Sequence, residues 1–94
     1  MRGVAILMVC RHNICRSPLA EGILVHALKA HGMQRMVKVD SAGTHVSMAG
    51  QRTDERAKKV ARMFGIKLKR GRSRQVVARD FEKFDYILAM DQDN

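Results

Sequence analysis

The segment Cys10-Arg11-His12-Asn13-Ile14-Cys15-Arg16-Ser17-Pro18 concentrates the side chains of this chain that can do chemistry. A cysteine and an arginine separated by five residues let a loop curl around one tetrahedral anion and return the guanidinium to the oxygens opposite the sulfur. The backbone N–H groups of such a loop converge on the anion, and a helix opening just after it aims its positive end at the same place. Arg16 adds a bidentate clamp for phosphoryl oxygens. Cys10, at the head of the loop, shares that positive field, which favours a thiolate, and a thiolate facing phosphorus is a nucleophile. The candidate phosphate-binding residues are therefore Arg11, His12, Asn13, Ile14, Cys15, Arg16 and Ser17, with Cys10 and Arg16 as the catalytic pair. Cys10, His12 and Cys15 lack a fourth ligand and a usual zinc spacing, so neither a metal nor another cofactor is expected.

The elements that must hold this loop lie on either side of it. Val4-Ala5-Ile6-Leu7-Met8-Val9 is a continuous apolar run of strand length, the pattern of a parallel strand buried on both faces, and predicts the central strand. Ser17 can cap a helix with Pro18 as its first position and an apolar stripe of Ala20, Ile23, Leu24, Ala27 and Leu28, stopping at Gly32. Met36 to Val39 predicts a second strand, closed by a turn at Asp40-Ser41-Ala42-Gly43. Thr53 or Asp54 opens a second helix that places Ala57, Val60, Ala61 and Phe64 on one face and ends at Gly65. A basic stretch from Lys67 to Arg74 leads to a helical turn near Val77–Phe81, and Tyr86 to Met90 predicts a third strand. This alternation predicts an α/β fold, a parallel sheet with flanking helices whose ligands sit beyond the carboxyl ends of the strands, the first of which is Cys10.

Ninety-four residues suffice for one domain, residues 1–94, and exclude two. Hydrophobic residues at 46% against 29% charged exclude a disordered chain, while aromatics at 4% make the core aliphatic and rich in methionine. The formal charge of +9 predicts attraction to anions without choosing among phosphorylated substrates, nucleic acid and acidic membrane. The apolar run after Arg2 is too short for a leader and stops at Arg11-His12 without a cleavage site, and no run approaches a membrane span, so a cytoplasmic protein without a membrane partner is expected. Two closely spaced cysteines are no disulfide framework; they serve packing or chemistry in a reducing compartment. The basic run Lys67, Lys69, Arg70, Arg72, Arg74 reads first as a solvated face, and the scarcity of aromatics removes the stacking platform of a single-strand nucleic-acid binder.

Cys10-x5-Arg16 followed by Ser17-Pro18-Leu19-Ala20-Glu21-Gly22 resembles the low-molecular-weight protein tyrosine phosphatases. The resemblance extends through Asp40-Ser41-Ala42-Gly43-Thr44, Gly50 with Asp54 and Arg56, Ser73-Arg74-Gln75, Asp80-Phe81 and Phe84 to Asp91. It implies that fold, with Cys10 forming a cysteinyl-phosphate, Arg16 holding the phosphoryl oxygens, Asn13 fixing the loop, Ser17 donating to the thiolate and Ser41 supporting the loop from behind. It also implies a reversible redox pairing of Cys10 with Cys15, which would protect the nucleophile from over-oxidation. The implied substrates are phosphorylated proteins or small aryl phosphates.

Three departures qualify the resemblance. His12 stands where the family has Gly, at a position expected to need φ > 0 and so to strain a residue bearing Cβ by about 1 kcal/mol. The loop His45-Val46-Ser47-Met48 carries no aromatic wall for a substrate ring. The family's general acid, an aspartate in an Asp-Pro loop, matches neither Asp91 nor Asp93, and its fourth strand and closing helix are missing as well, which predicts a chain incomplete at its C-terminal end. The third strand would then be an apolar edge open to self-association. The rival functions are a phosphate-binding or regulatory module with little turnover, a phosphoarginine phosphatase, from which Ile14 departs, and an arsenate reductase, which needs further cysteines and Gln where Pro18 stands.

Overall fold

The computed structural model describes residues 3–68 and 71–90. Its elements alternate as β1 (Val4–Cys10), α1 (Arg16–Ala30), β2 (Val37–Gly43), α2 (Glu55–Met63), α3 (Ala78–Lys83) and β3 (Tyr86–Ala89). The three strands form one parallel sheet in the order β2-β1-β3, with β1 in the centre. This is the parallel α/β architecture that the apolar run of β1 implied. Leu7, Val9, Ala42 and Phe84 make the buried core, with Ala5, Val76 and Ile87 packed against it.

Register decides where the chemistry falls. Val4 lies opposite Val37 and the pairing runs in step to Cys10 opposite Gly43, so β1 and β2 end level. Asp40–Gly43 is therefore not the turn expected from its composition. Pairing with Leu7–Cys10 satisfies the backbone groups on one side, Gly43 exchanges bonds with Arg74 O and Val76 N–H on the other, Ala42 is completely buried, and the strand outlasts its own turn-forming residues.

α1 also departs from expectation at its start. Its first turn opens at Arg16, one residue ahead of Ser17, and Ser17 does not cap it. The Ser17 hydroxyl is instead engaged with Cys10 and Asn13, which removes it from the helix terminus. The helix is rotated accordingly: Ser17, Glu21 and Gly22 are buried, whereas Ile23, assigned to the apolar stripe, is 48% exposed. α2 follows its expected cap, with the Asp54 carboxylate accepting the Arg56 N–H at 2.8 Å. Its buried face is narrower than the apolar pattern, comprising Ala57 and Ala61, while Val60 and Phe64 are exposed.

Both helices end on a glycine in the left-handed region, Gly32 at φ 68° and Gly65 at φ 69°. Met33 N–H reaches Leu28 O and Ile66 N–H reaches Ala61 O, both at 2.8 Å, closing the orphan carbonyls in the Schellman pattern. β3 pairs with β1 on one side and leaves Tyr86 and Leu88 exposed. No helix among the described residues is long and apolar enough to cross a membrane.

Candidate active site

Cys10 ends β1 and is buried, and the chain from Arg11 to Cys15 loops over it into α1. The Cys10 Sγ lies 2.9 Å from Ser17 Oγ and accepts the Asn13 N–H at 3.2 Å. Donor directions follow from the rest of the network. Asn13 Oδ1 accepts the Arg74 N–H at 3.0 Å, which fixes the amide orientation, so Nδ2 donates both to Ser17 Oγ at 2.8 Å and to Ser41 Oγ at 3.0 Å. Ser17 Oγ already accepts from Asn13, and its own proton is therefore directed at Cys10 Sγ. The sulfur thus sits under two hydrogen-bond donors, beside the first turn of a 15-residue helix.

The strain expected at His12 falls on its neighbour. Among the described residues the one non-glycine position with positive φ is Asn13, at 58°, a conformation asparagine tolerates better than most residues. His12 stays outside that region and uses Nδ1 to donate to His45 O at 3.1 Å. Its side chain is therefore compatible with the loop, and the Cβ penalty does not arise there.

The remaining loop residues form the rim. Arg11, His12 and Arg16 are exposed, and Ile14 and Cys15 are partly so. Among the described residues no protein acceptor takes the N–H of Arg11, His12, Ile14 or Cys15, while the carbonyls of Arg11 and Ile14 are tied down by His45 N–H at 2.8 Å and Asp54 N–H at 2.6 Å. The loop thus points its carbonyls into the protein and leaves its donors for an outside acceptor, which is the polarity of an anion cradle. Gly43 allows this closeness: a Cβ there would lie 2.7 Å from Arg11 O and 2.6 Å from Val46 Cγ2. Both cysteines are free thiols. No group of three or more His, Cys, Asp or Glu among the described residues is placed to hold a metal ion.

Arg74 is not part of a solvated basic face, as the charge run suggested; Lys69 and Arg70 of that run lie outside the described residues. Its guanidinium makes a two-pronged contact with Asp80 at 3.0 and 3.1 Å and reaches Asp40 at 3.2 Å. Its backbone N–H holds Asn13, so the ion pair positions the residue that positions the thiol. Composition hid this role; Ser73-Arg74-Gln75 with Asp80 downstream was the available signal. Gln75 braces the same region, accepting Val46 N–H and donating to Thr44 O.

Hydrogen bonds from Arg74, aided by the Val77 N–H and the guanidinium charge, hold the Asp80 carboxyl below its ordinary value of 3.8 despite the opposing effect of burial. A depressed native value means that the stabilisation is complete above about pH 4 and is lost as the pH falls through the native value. Arg74→Met is expected to destabilise the fold by about 2 kcal/mol at neutral pH, below the full cost of breaking a buried pair because the guanidinium is one-third exposed. Urea unfolding from pH 7 to pH 2 checks this: the gap between native and variant should close on the acid side, and a gap independent of pH would assign the effect to packing.

These features define a class, a parallel α/β protein whose central strand delivers a thiol into the mouth of a strand–loop–helix anion cradle. The chain belongs to the low molecular weight phosphotyrosine protein phosphatase family, whose profile matches residues 5–94. It is 38% identical over 91 residues to the low molecular weight protein-tyrosine-phosphatase YfkJ of Bacillus subtilis, covering 97% of this chain and 58% of that protein. The crystal structure of YfkJ superposes with a TM-score of 0.96 over all of this chain and 59% of that one, at 37% identity. A protein tyrosine phosphatase structure from Entamoeba histolytica with Hepes in its active site gives 0.93 at 42% identity, covering 98% of this chain and 58% of that one. A Drosophila arginine phosphatase gives 0.88 at 38% identity, covering 95% and 55%. The chain thus spans somewhat more than half the length of these relatives.

Proposed function

We propose that this chain carries the nucleophilic half of a phosphotyrosine phosphatase reaction, with Cys10 as nucleophile and Arg16 and the loop amides as the oxyanion clamp. The observation that supports it best is the Cys10 sulfur under the Ser17 hydroxyl and Asn13 N–H, at the mouth of a loop whose outward groups are donors. In the first step the thiolate attacks phosphorus, an S–P bond forms and the P–O bond to the aryl group breaks. The departing phenolate takes a proton from an acid or from water. In the second step a water oxygen attacks phosphorus, the S–P bond breaks, and thiolate and inorganic phosphate are released. Arg16 and the N–H groups stabilise the charge that builds on the equatorial oxygens in both steps. Asn13, Ser17 and Ser41 are positioning residues that keep the sulfur and the loop in register. The same reading includes a redox brake: a peroxide oxidises the Cys10 thiol to a sulfenic acid and is itself reduced to water or an alcohol, and the sulfenic acid then condenses with the free Cys15 thiol to a disulfide with release of water.

Hydrolysis of p-nitrophenyl phosphate by the purified chain tests the reaction. Its leaving group needs little protonation, whereas a positioned acid contributes about 10²–10⁴-fold for poorer ones. Turnover of p-nitrophenyl phosphate and phosphotyrosine peptide, with phosphoserine peptide inert, is the expected result. A second reading, phosphoarginine hydrolysis, draws on the likeness to the Drosophila arginine phosphatase. Faster release of phosphate from phosphoarginine than from phosphotyrosine would favour it. Phosphate binding with no turnover of any ester would favour a binding module.

A further inference from the structure

A second concave region lies away from the Cys10 loop. A cavity of about 600 Å³ lies against α2, and Arg52, Lys58, Arg62, Lys67 and Arg72 line it. Among the described residues that line it none is acidic, and none belongs to the Cys10–Ser17 loop. Lys58 has Glu55 at 3.2 Å from outside the lining, and Arg72 donates to Gly50 O at 3.1 Å. Among the described residues no carboxylate pairs with Arg52, Arg62 or Lys67.

The backbone imposes part of this crowding. Arg52 and Arg72 face each other in an antiparallel bridge, where like charges directly opposite are destabilising. An anion between them turns that repulsion into attraction. The size is that of a small-molecule site rather than a flat protein-docking face. Cations from four places along the chain (Arg52, helix α2, Lys67 and Arg72) match charge spread along a ligand better than the point charge of orthophosphate. Among the described residues the apolar side chains of the lining are Ala61 and Leu68, with no aromatic ring on which a base could stack.

We propose that this cavity is a second anion site, distinct from the Cys10 loop, that takes a linear polyphosphate chain, free or as the tail of a nucleoside triphosphate. The site adjoins the catalytic support. Thr53, Leu68, Gly71 and Arg72 are shared with a smaller cavity that extends to Asn13 and Ser41.

Isothermal titration of the chain with orthophosphate, pyrophosphate, inorganic tripolyphosphate and ATP at fixed ionic strength tests the proposal. Affinity should rise about tenfold or more from orthophosphate to tripolyphosphate and fall steeply with added salt. ATP should match tripolyphosphate within about threefold, because the cavity offers the base nothing to stack on; much tighter ATP binding would overturn the assignment to the phosphate chain. The double variant R62Q/K67Q, at two exposed positions, should lose about tenfold or more in tripolyphosphate affinity, while Arg16→Ala should stay within about threefold of the native chain. Arg52→Gln repeats the measurement at a second place, with circular dichroism checking that each variant is folded. Binding that disappears in Arg16→Ala and survives in R62Q/K67Q would put the anion in the Cys10 loop and overturn the proposal. Absence of saturable tripolyphosphate binding would overturn it too, whether or not the chain hydrolyses aryl phosphates.

Discussion

Cys10→Ser is expected to reduce hydrolysis of p-nitrophenyl phosphate by about 10⁴-fold or more, to the level of the uncatalysed reaction, while leaving the fold and orthophosphate binding in place. The two side chains are close in shape, and a serine Oγ can keep the hydrogen bonds from Asn13 N–H and Ser17 Oγ that Cys10 Sγ makes at 3.2 and 2.9 Å. What changes is reactivity: a serine hydroxyl is a weak nucleophile without a base, and among the described residues no histidine or carboxylate is hydrogen-bonded to the Cys10 sulfur. In the proposed reaction the anion is held by backbone N–H groups and Arg16, which the substitution does not touch. Steady-state kinetics, with phosphate titrated into the same preparation, separate the two effects. Turnover surviving within tenfold of the native rate would remove Cys10 from the mechanism. Loss of phosphate binding along with turnover would show that the substitution had disturbed the loop.

Asn13→Ala has the second largest expected effect, because one side chain performs three tasks. It accepts the Arg74 N–H, donates to Ser17 Oγ and Ser41 Oγ, and sits at φ 58°. Alanine removes all three bonds inside a buried region, where an orphaned polar group costs about 1–3 kcal/mol, and raises the strain of the left-handed conformation by about 1 kcal/mol. A loss of about 3–4 kcal/mol is expected, a large part of the stability of a domain this size. Turnover should fall with it, since Ser17 is no longer held against the thiol. Asn13→Gly separates the causes. Glycine accepts the backbone conformation while leaving the network broken, so it should recover some stability in urea unfolding but little of the turnover. Restored turnover in the glycine variant would show that backbone conformation, and not the side-chain network, sets the loop.

Much of this arrangement is visible in one dimension. A buried parallel strand requires a continuous apolar run, and Val4–Val9 supplies one that ends at Cys10. The alternation of strand and helix then places the next helix beyond that end, so the spacing of Cys10 and Arg16 already describes an anion loop. Both terminating glycines, Gly32 and Gly65, are equally legible, because few other residues tolerate their dihedrals.

Tertiary structure decided where local signals competed. Ser17 has the composition of a helix cap, but a buried thiol and the Asn13 amide claimed its hydroxyl. Asp40–Gly43 has the composition of a turn, but the ladder with β1 on one side and the bonds of Gly43 to Arg74 and Val76 on the other extended the strand to the level of Cys10. The left-handed residue in the loop proved to be Asn13 and not His12, because Asn13 must turn inward to reach Arg74, Ser17 and Ser41. Arg74 and Asp80 belong to a charge run and a short helix until the fold sets the guanidinium of Arg74 between Asp80 and Asp40, and Arg52 and Arg72 are ordinary surface cations until a bridge sets them face to face. Sequence determines what each segment can be by its own backbone preferences and apolar pattern. Which donor meets which acceptor depends on residues far apart in the chain, 61 positions for Arg74 and Asn13 and 80 for Ala5 and Asp85, and is decided only when burial forces polar groups to find partners.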